Sequence, residues 1–384
     1  MTRLFRGVAA ALALATVIGL VVLWPGEVES SLAEGVLVES ERGTVERVEE
    51  TVCPGLIGQD CQQVVVRLES GPESGKPVQL QLGAQGVDPD VDPGDEIHVT
   101  KTPEPPPGAE PTIGTGYMLT DFERRGSMLW LAAIFVAAVL LLGRLRGGLS
   151  LVGLAASLAV VLVFVVPSIL DGNSPLGVAV TGSLAIALVT IPLAHGGGPK
   201  SIAALLGTAT SLLLTAGLAV LFTESAHLTG LASEEAVFFQ LGQSDVSLEG
   251  LLLAGMVIGA LGVLDDVTIS QASTVLALGR ANPGLPFREL FGRALEVGRD
   301  HVSATVNTLV LAYVGAALPT LLLFSAADLG LSEVANFEIV AQEIVATLVG
   351  SIGLMAAVPI TTALAAWLAV NEDPQRLGAE AHAH

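Results

Sequence analysis

Eight apolar segments of roughly 20 residues decide what this chain can fold into. A helix needs about 20 apolar residues to cross the hydrocarbon core of a bilayer. Stretches of that kind occupy residues 8–24, 127–143, 149–169, 176–194, 201–222, 250–279, 301–324 and 338–370. Between the first and the second lies a polar insert of about 100 residues. Hydrophobic residues make up 51% of the 384 and charged ones 14%, against about 25% charged in soluble domains. The fold class expected is therefore an all-α polytopic membrane protein of about eight transmembrane helices, with a small all-β extracytoplasmic domain. The domains are an anchor at 1–24, a β-rich domain at 25–125, a seven-helix membrane domain at 126–370 and a cytoplasmic tail at 371–384.

The distribution of Lys and Arg orients the chain, because short cytoplasmic loops are enriched in them. Arg3 and Arg6 precede the first apolar run, which reads as an uncleaved anchor rather than a signal peptide. One crossing puts residues 25–125 outside. The inner loops then hold Arg144 and Arg146, Lys200, the set Arg280, Arg288, Arg293 and Arg299, and Arg376. The outer loops 170–175, 223–249 and 325–337 hold no Lys or Arg. Eight crossings put both termini inside.

The insert is acidic, with 20 acidic and 7 basic side chains in residues 25–125. Such a surface does not suit nucleic acid, which needs clustered cations. Segments 35–41, 44–52, 61–68, 78–83 and 95–102 alternate apolar and polar residues between turn signals, as strands of a small barrel or sandwich do. The proline-rich PEPPPGAEP reads as a linker or loop. Cys53 and Cys61, in CPGLIGQDC, are expected to close a local disulfide outside the cytoplasm.

Ionisable groups inside apolar spans are costly, so they point to function. The sixth span contains Asp265 and Asp266, followed by Thr268, Ser270, Gln271, Ser273 and Thr274. Asp266, Ser270 and Ser273 share one helical face. Gly255, Gly259 and Gly262 precede them and permit close helix approach. Asn307 in the seventh span and Glu343 in the eighth complete the candidate ion or substrate pathway: Asp265, Asp266, Ser270, Gln271, Asn307 and Glu343. The bland alternatives are a cytoplasmic helix starting at Asp265, an interhelical hydrogen bond at Asn307 and a water-facing carboxylate at Glu343. Pro359 should kink the last span. No internal repeat stands out by eye.

The glycine-rich HGGGPKS at 195–201 lacks the spacing of a P-loop and reads as a cytoplasmic turn. No hydrolase, kinase or metal-binding motif is present, so no catalytic residue, metal or cofactor is expected and the chain is not read as an enzyme. An intramembrane aspartyl protease would need carboxylates from two helices, whereas adjacent residues project about 100° apart.

The stretch GALGVLDDVTISQAS, with NTLVLAYVGAALP, GSIGLMAAVPITT and the earlier YMLTDFERR, resembles the YibE/F-like family of bacterial multipass membrane proteins over residues 30–370. The resemblance implies a bacterial cytoplasmic membrane location and suggests transport, with no assigned substrate or catalytic residue. The function expected is a membrane permease, proton- or cation-coupled, acting on a small solute or ion. The alternative is a non-transporting sensor or assembly partner that works through the outer domain and a membrane protein partner.

Overall fold

A computed structural model describes residues 2–26, 40–52, 60–83, 89–102, 116–242, 246–327 and 329–371. It divides into two compact units, residues 32–138 and the remainder.

The smaller unit is a five-stranded antiparallel sheet. Its strands are β1 Ser40–Val52, β2 Asp60–Leu68, β3 Pro77–Leu82, β4 Glu96–Lys101 and β5 Tyr117–Phe122, in the order β3-β2-β1-β4-β5. Alternation sets its core: Val64, Val66 and Leu68 of β2 point inward with Val45, Leu80, Ile97 and Val99. A bulge between Val45 and Arg47 bends the long β1, which pairs with β2 over its length and with β4 at its start. The structure corrects the strand list in one respect. Residues 117–122 form a strand paired with β4, although they read as the return to the membrane. The expected strand at 35–41 falls mostly outside the described residues, and so does the proline-rich stretch. Cys61 is buried and disulfide-bonded, and Cys53 lies outside the described residues.

A side-chain hydrogen bond ties β4 to the residue that follows β5. His98 of β4 meets Glu123 at 3.1 Å, with the two side chains 17% and 10% exposed. Glu123 also accepts the backbone N–H of Arg125 at 2.8 Å. That N–H, then the His98 hydrogen bond, hold the Glu123 carboxyl below its ordinary range. A depressed carboxyl contributes stability that is present above its unfolded value and is lost as pH falls through the folded one. The protection of β4 and β5 amides from hydrogen exchange, taken relative to the intrinsic rate at each pH, should therefore fall as pH drops below the ordinary carboxylate range. Glu123→Gln should flatten that dependence, and an unchanged profile in the variant would refute it.

The larger unit is helical, and the first part of its second helix, residues 125–138, falls in the smaller unit. Its elements are α1 Thr2–Val22, α2 Arg125–Val160, a π-turn at Val161–Val165, α3 Val166–Leu170, α4 Pro175–His195, α5 Pro199–Ser225, α6 Glu234–Gly242, α7 Leu248–Ala281, α8 Phe287–Ala316, α9 Leu318–Ala326, α10 Leu331–Val334 and α11 Glu338–Asn371. Among the described residues six helices are long and apolar enough to cross a membrane, or seven if the α8–α9 pair, bent by 60°, is one span. The tally is below eight because two expected segments, 127–143 and 149–169, fall in one 46-residue run, Arg125–Leu170. That run is interrupted at Arg144 (φ 50°, ψ −129°). There the chain doubles back: a Cβ on Gly147 would strike the carbonyl of Val139, which a straight helix would hold about 12 Å away. α7 and α11, each long enough for a break, run as single helices, with Pro359 inside α11.

Side chains determine which helices meet. α5 and α11 cross antiparallel at two glycines, Gly207 against Thr361 and Gly353 against Thr215. α8 runs antiparallel to both α7 and α11, because Gly259 meets Tyr313, Gln271 meets Ala294, and Val358 meets Gly298. α4 and α7 run parallel from matching starts, each capped by a serine, Ser174 and Ser247, that accepts an N–H from the glycine three residues on. At the same end of the bundle, where Gly230 packs on the first residues of α7, Glu338 accepts from the N–H groups of Thr229 and Gly230 and from the Thr229 hydroxyl, which ties the loop after α5 to the start of α11.

Candidate ion site in the helical core

The helices of the core are nearly all aliphatic, so a polar side chain buried among them is costly unless its own or a neighbouring helix supplies a partner. α4, α5, α7 and α11 place theirs on facing surfaces. Thr190 of α4 meets Asp265 of α7 at 3.3 Å, hydroxyl to Oδ2. The Thr268 hydroxyl, one turn on, donates to the Asp265 carbonyl at 3.1 Å. Thr208 of α5 meets Thr268 at 2.6 Å, and both are fully buried. Gln271 donates from Nε2 to Thr362 of α11 at 2.7 Å and to the Ala294 carbonyl of α8 at 2.9 Å. Five helices thus contribute to a polar region made of two hydrogen-bonded sets, one around Asp265 and Thr268 and one around Gln271 a turn further along α7. The Oδ1 atom of Asp265 is buried with no hydrogen-bond partner among the described residues.

The six residues singled out in sequence do not all belong to it. Asp265 and Gln271 do. Asp266 and Ser270 lie on the exposed face of α7, and Asn307 is exposed on α8. Asp266 has an electrostatic neighbour in His195, which also senses Arg146 and Lys200, so the carboxylate pair borders the basic end of the bundle. Glu343 is remote. Asp265 lies level with Thr361, because Thr208 bonds Thr268 while neighbouring Gly207 packs on Thr361. Glu343 is about 27 Å from Thr361 along α11. It stands near Tyr313 instead, beside a small apolar cavity lined by Gly259, Leu309 and Gly350.

Thr190, Thr208 and Thr362 were missed in the sequence reading. A lone threonine in an apolar span has a bland role as often as not, since its hydroxyl can bond its own helix. A second missed signal is a short repeat. Gly259-x-x-Gly262, then Val267 and Ile269, recurs as Gly350-x-x-Gly353, then Val358 and Ile360. The two copies run parallel, both packed against α8, and their equivalent residues Gln271 and Thr362 hydrogen-bond each other. Only the first copy carries carboxylates; alanines 356 and 357 replace them in the second.

A family model for YibE/F-like proteins matches residues 131–371. The chain belongs to the YibE/F-like family. The match covers the carboxylate-bearing α7 and all of α11 and leaves out the five-stranded sheet, so the part of the resemblance at residues 117–125 lies outside it. Nothing matches this YibE/F-like chain among curated proteins or among solved structures.

Proposed function

We propose that this YibE/F-like chain is an ion-coupled permease of the bacterial cytoplasmic membrane, with Asp265 as the group that carries the coupling ion. The observation that carries this reading is Asp265 itself. It is a carboxylate in the middle of a long apolar helix, with one oxygen buried and without a partner among the described residues, the other met by Thr190 of α4, and Thr208 of α5 bonded to Thr268 one turn on. A group that costly persists in a membrane span chiefly where an ion or proton visits it. The parallel pair α7 and α11, with matching residues facing each other, supports the same reading, since transporters place their sites between repeats.

Eight crossings fit this function. The run Arg125–Leu170 is about 69 Å long if straight, more than twice a hydrocarbon core of about 30 Å. With the reversal at Arg144 it supplies two crossings, the bent α8–α9 pair supplies one, and the sheet unit lies outside. Arg144 and Arg146 then sit on the inner side, as the charge rule asks.

The test uses the full chain reconstituted in liposomes. A potassium diffusion potential is imposed, internal pH is followed with a trapped dye, and sodium and magnesium uptake are followed in parallel. Ion movement above that of protein-free vesicles is expected. Absence of any such movement, with or without a pH gradient, ends the permease reading. A sensor acting through its sheet unit is the second reading, favoured by the Glu123 link between β4 and the first turn of α2. Replacing residues 30–122 by a flexible linker separates the two: flux that survives the replacement assigns the sheet a regulatory role.

A further inference from the structure

Thr190 has one hydroxyl hydrogen and two oxygens within reach of it. The Ile186 carbonyl lies at 2.9 Å and Asp265 Oδ2 at 3.3 Å. A threonine inside a helix commonly bonds the carbonyl four residues back, and here that contact is the shorter. It takes the hydrogen. The Asp265 contact is then oxygen against oxygen, with nothing between unless the carboxyl supplies it. A proton on Oδ2 places every hydrogen: Asp265 donates to Thr190, and Thr190 donates to the Ile186 carbonyl.

The other oxygen gives the same answer. Oδ1 is buried and meets no donor among the described residues. As half of an ionised carboxylate it would lose most of its hydration uncompensated. As the carbonyl oxygen of a neutral acid it costs far less.

A metal ion fits this place poorly. Calcium takes six to eight oxygens and magnesium about six, in near-octahedral array. Thr190 supplies the one side-chain oxygen in hydrogen-bonding distance of the Asp265 carboxyl among the described residues. The next hydroxyls are committed, Thr268 to the Asp265 carbonyl and Thr208 to Thr268. No group of three or more His, Cys, Asp or Glu side chains that could hold a metal occurs among the described residues.

We infer that Asp265 holds a proton on Oδ2 in this conformation and that the coupling ion of the proposed permease is the proton. The inference rests on the reading of Asp265 as the ion-carrying group. The charged neighbour of Asp265 is Asp266 on its own helix; next to Asp266 stands His195 at the end of α4, which in turn neighbours Lys200 at the start of α5 and Arg146 of α2. α8 carries Arg299, Asp300 and His301, all exposed, and α11 has no titratable side chain after Glu343. The proton leaves as Oδ2–H breaks, and it passes to water on the exposed Asp266 side. Thr190 keeps its own hydrogen throughout.

Infrared difference spectroscopy of the full chain in lipid nanodiscs, between alkaline and acidic buffers, tests this. A protonated-carboxyl band is expected that disappears in Asp265→Asn. It should move to higher frequency in Thr190→Val, which removes the acceptor and keeps the shape. Its titration should coincide in sodium, potassium, magnesium and choline buffers. Absence of a band assignable to Asp265 at any pH, or a titration displaced by one of the metal ions, overturns the inference. Metal-ion flux that needs Asp265 without such a band overturns the proton and leaves the permease. A band with no Asp265-dependent flux supports the proton on Asp265 and overturns the permease.

Discussion

Ion flux through liposomes carrying Asp265→Asn is expected to fall to that of protein-free vesicles, while the variant melts close to the parent. Asparagine has the shape of a neutral aspartic acid, and its amide can donate to Thr190 as the protonated carboxyl would. The packing among α4, α5 and α7 is therefore kept. What is lost is the capacity to alternate between a charged and a neutral state, and no neighbouring side chain can replace it. Asp266 is exposed and lies near His195, Arg146 and Lys200, so Asp266→Asn alters the field at the basic end of the bundle and should slow flux without stopping it. Glu343→Gln should leave flux unchanged, because that carboxyl stands at the other end of α11 beside Tyr313. Parental flux in Asp265→Asn, with folding intact, would remove Asp265 from the pathway. A loss in Glu343→Gln equal to that in Asp265→Asn would show that the two carboxylates act together across the bundle.

Periodicity carried most of the architecture. The apolar runs gave helices at nearly every expected position, and alternation along residues 44–102 gave β1 to β4, because both signals arise from burial on one face or in one layer. β5 escaped because residues 117–122 read as an approach to the membrane, whereas their backbone groups pair with β4. The site was half legible. Asp265 declares itself as a carboxylate in an apolar run, but its separation from Glu343 does not, since one sequence gives no register between helices. Thr190 and Thr208 could not be told from threonines bonded to their own helix. The α7 and α11 repeat hid for a related reason. Its identities are glycines, a valine and an isoleucine, and such residues recur by chance in any apolar span. Their equivalence becomes meaningful only where Gln271 and Thr362 are seen to meet.

The helix crossing that fixes this register should be the most sensitive place in the chain. A Cβ on Gly353 would collide with the Thr215 hydroxyl, and one on Gly207 with the Thr361 hydroxyl. The two collisions differ in how they can be relieved. Thr215 is fully buried and donates to the Ser211 carbonyl at 2.8 Å, so turning it away breaks a bond inside the bundle. The Thr361 hydroxyl has no partner among the described residues and can turn at little cost. Gly353→Ala is therefore expected to destabilise by about 3 kcal/mol, at the upper end of ordinary overpacking, and Gly207→Ala by about half that. Gly255, on α7, meets nothing within 4 Å, so Gly255→Ala should be neutral or stabilising by up to about 1 kcal/mol through helix propensity. Melting in nanodiscs should rank the variants in that order. Thr215→Ala in the Gly353→Ala background should recover most of the loss, because the methyl then enters space the hydroxyl vacates, and a double-mutant cycle reads that recovery as coupling. Additive losses in the double variant would mean that α5 and α11 do not meet at these residues, and with that the placement of Thr208 beside Thr268, and so the polar centre around Asp265, would no longer hold.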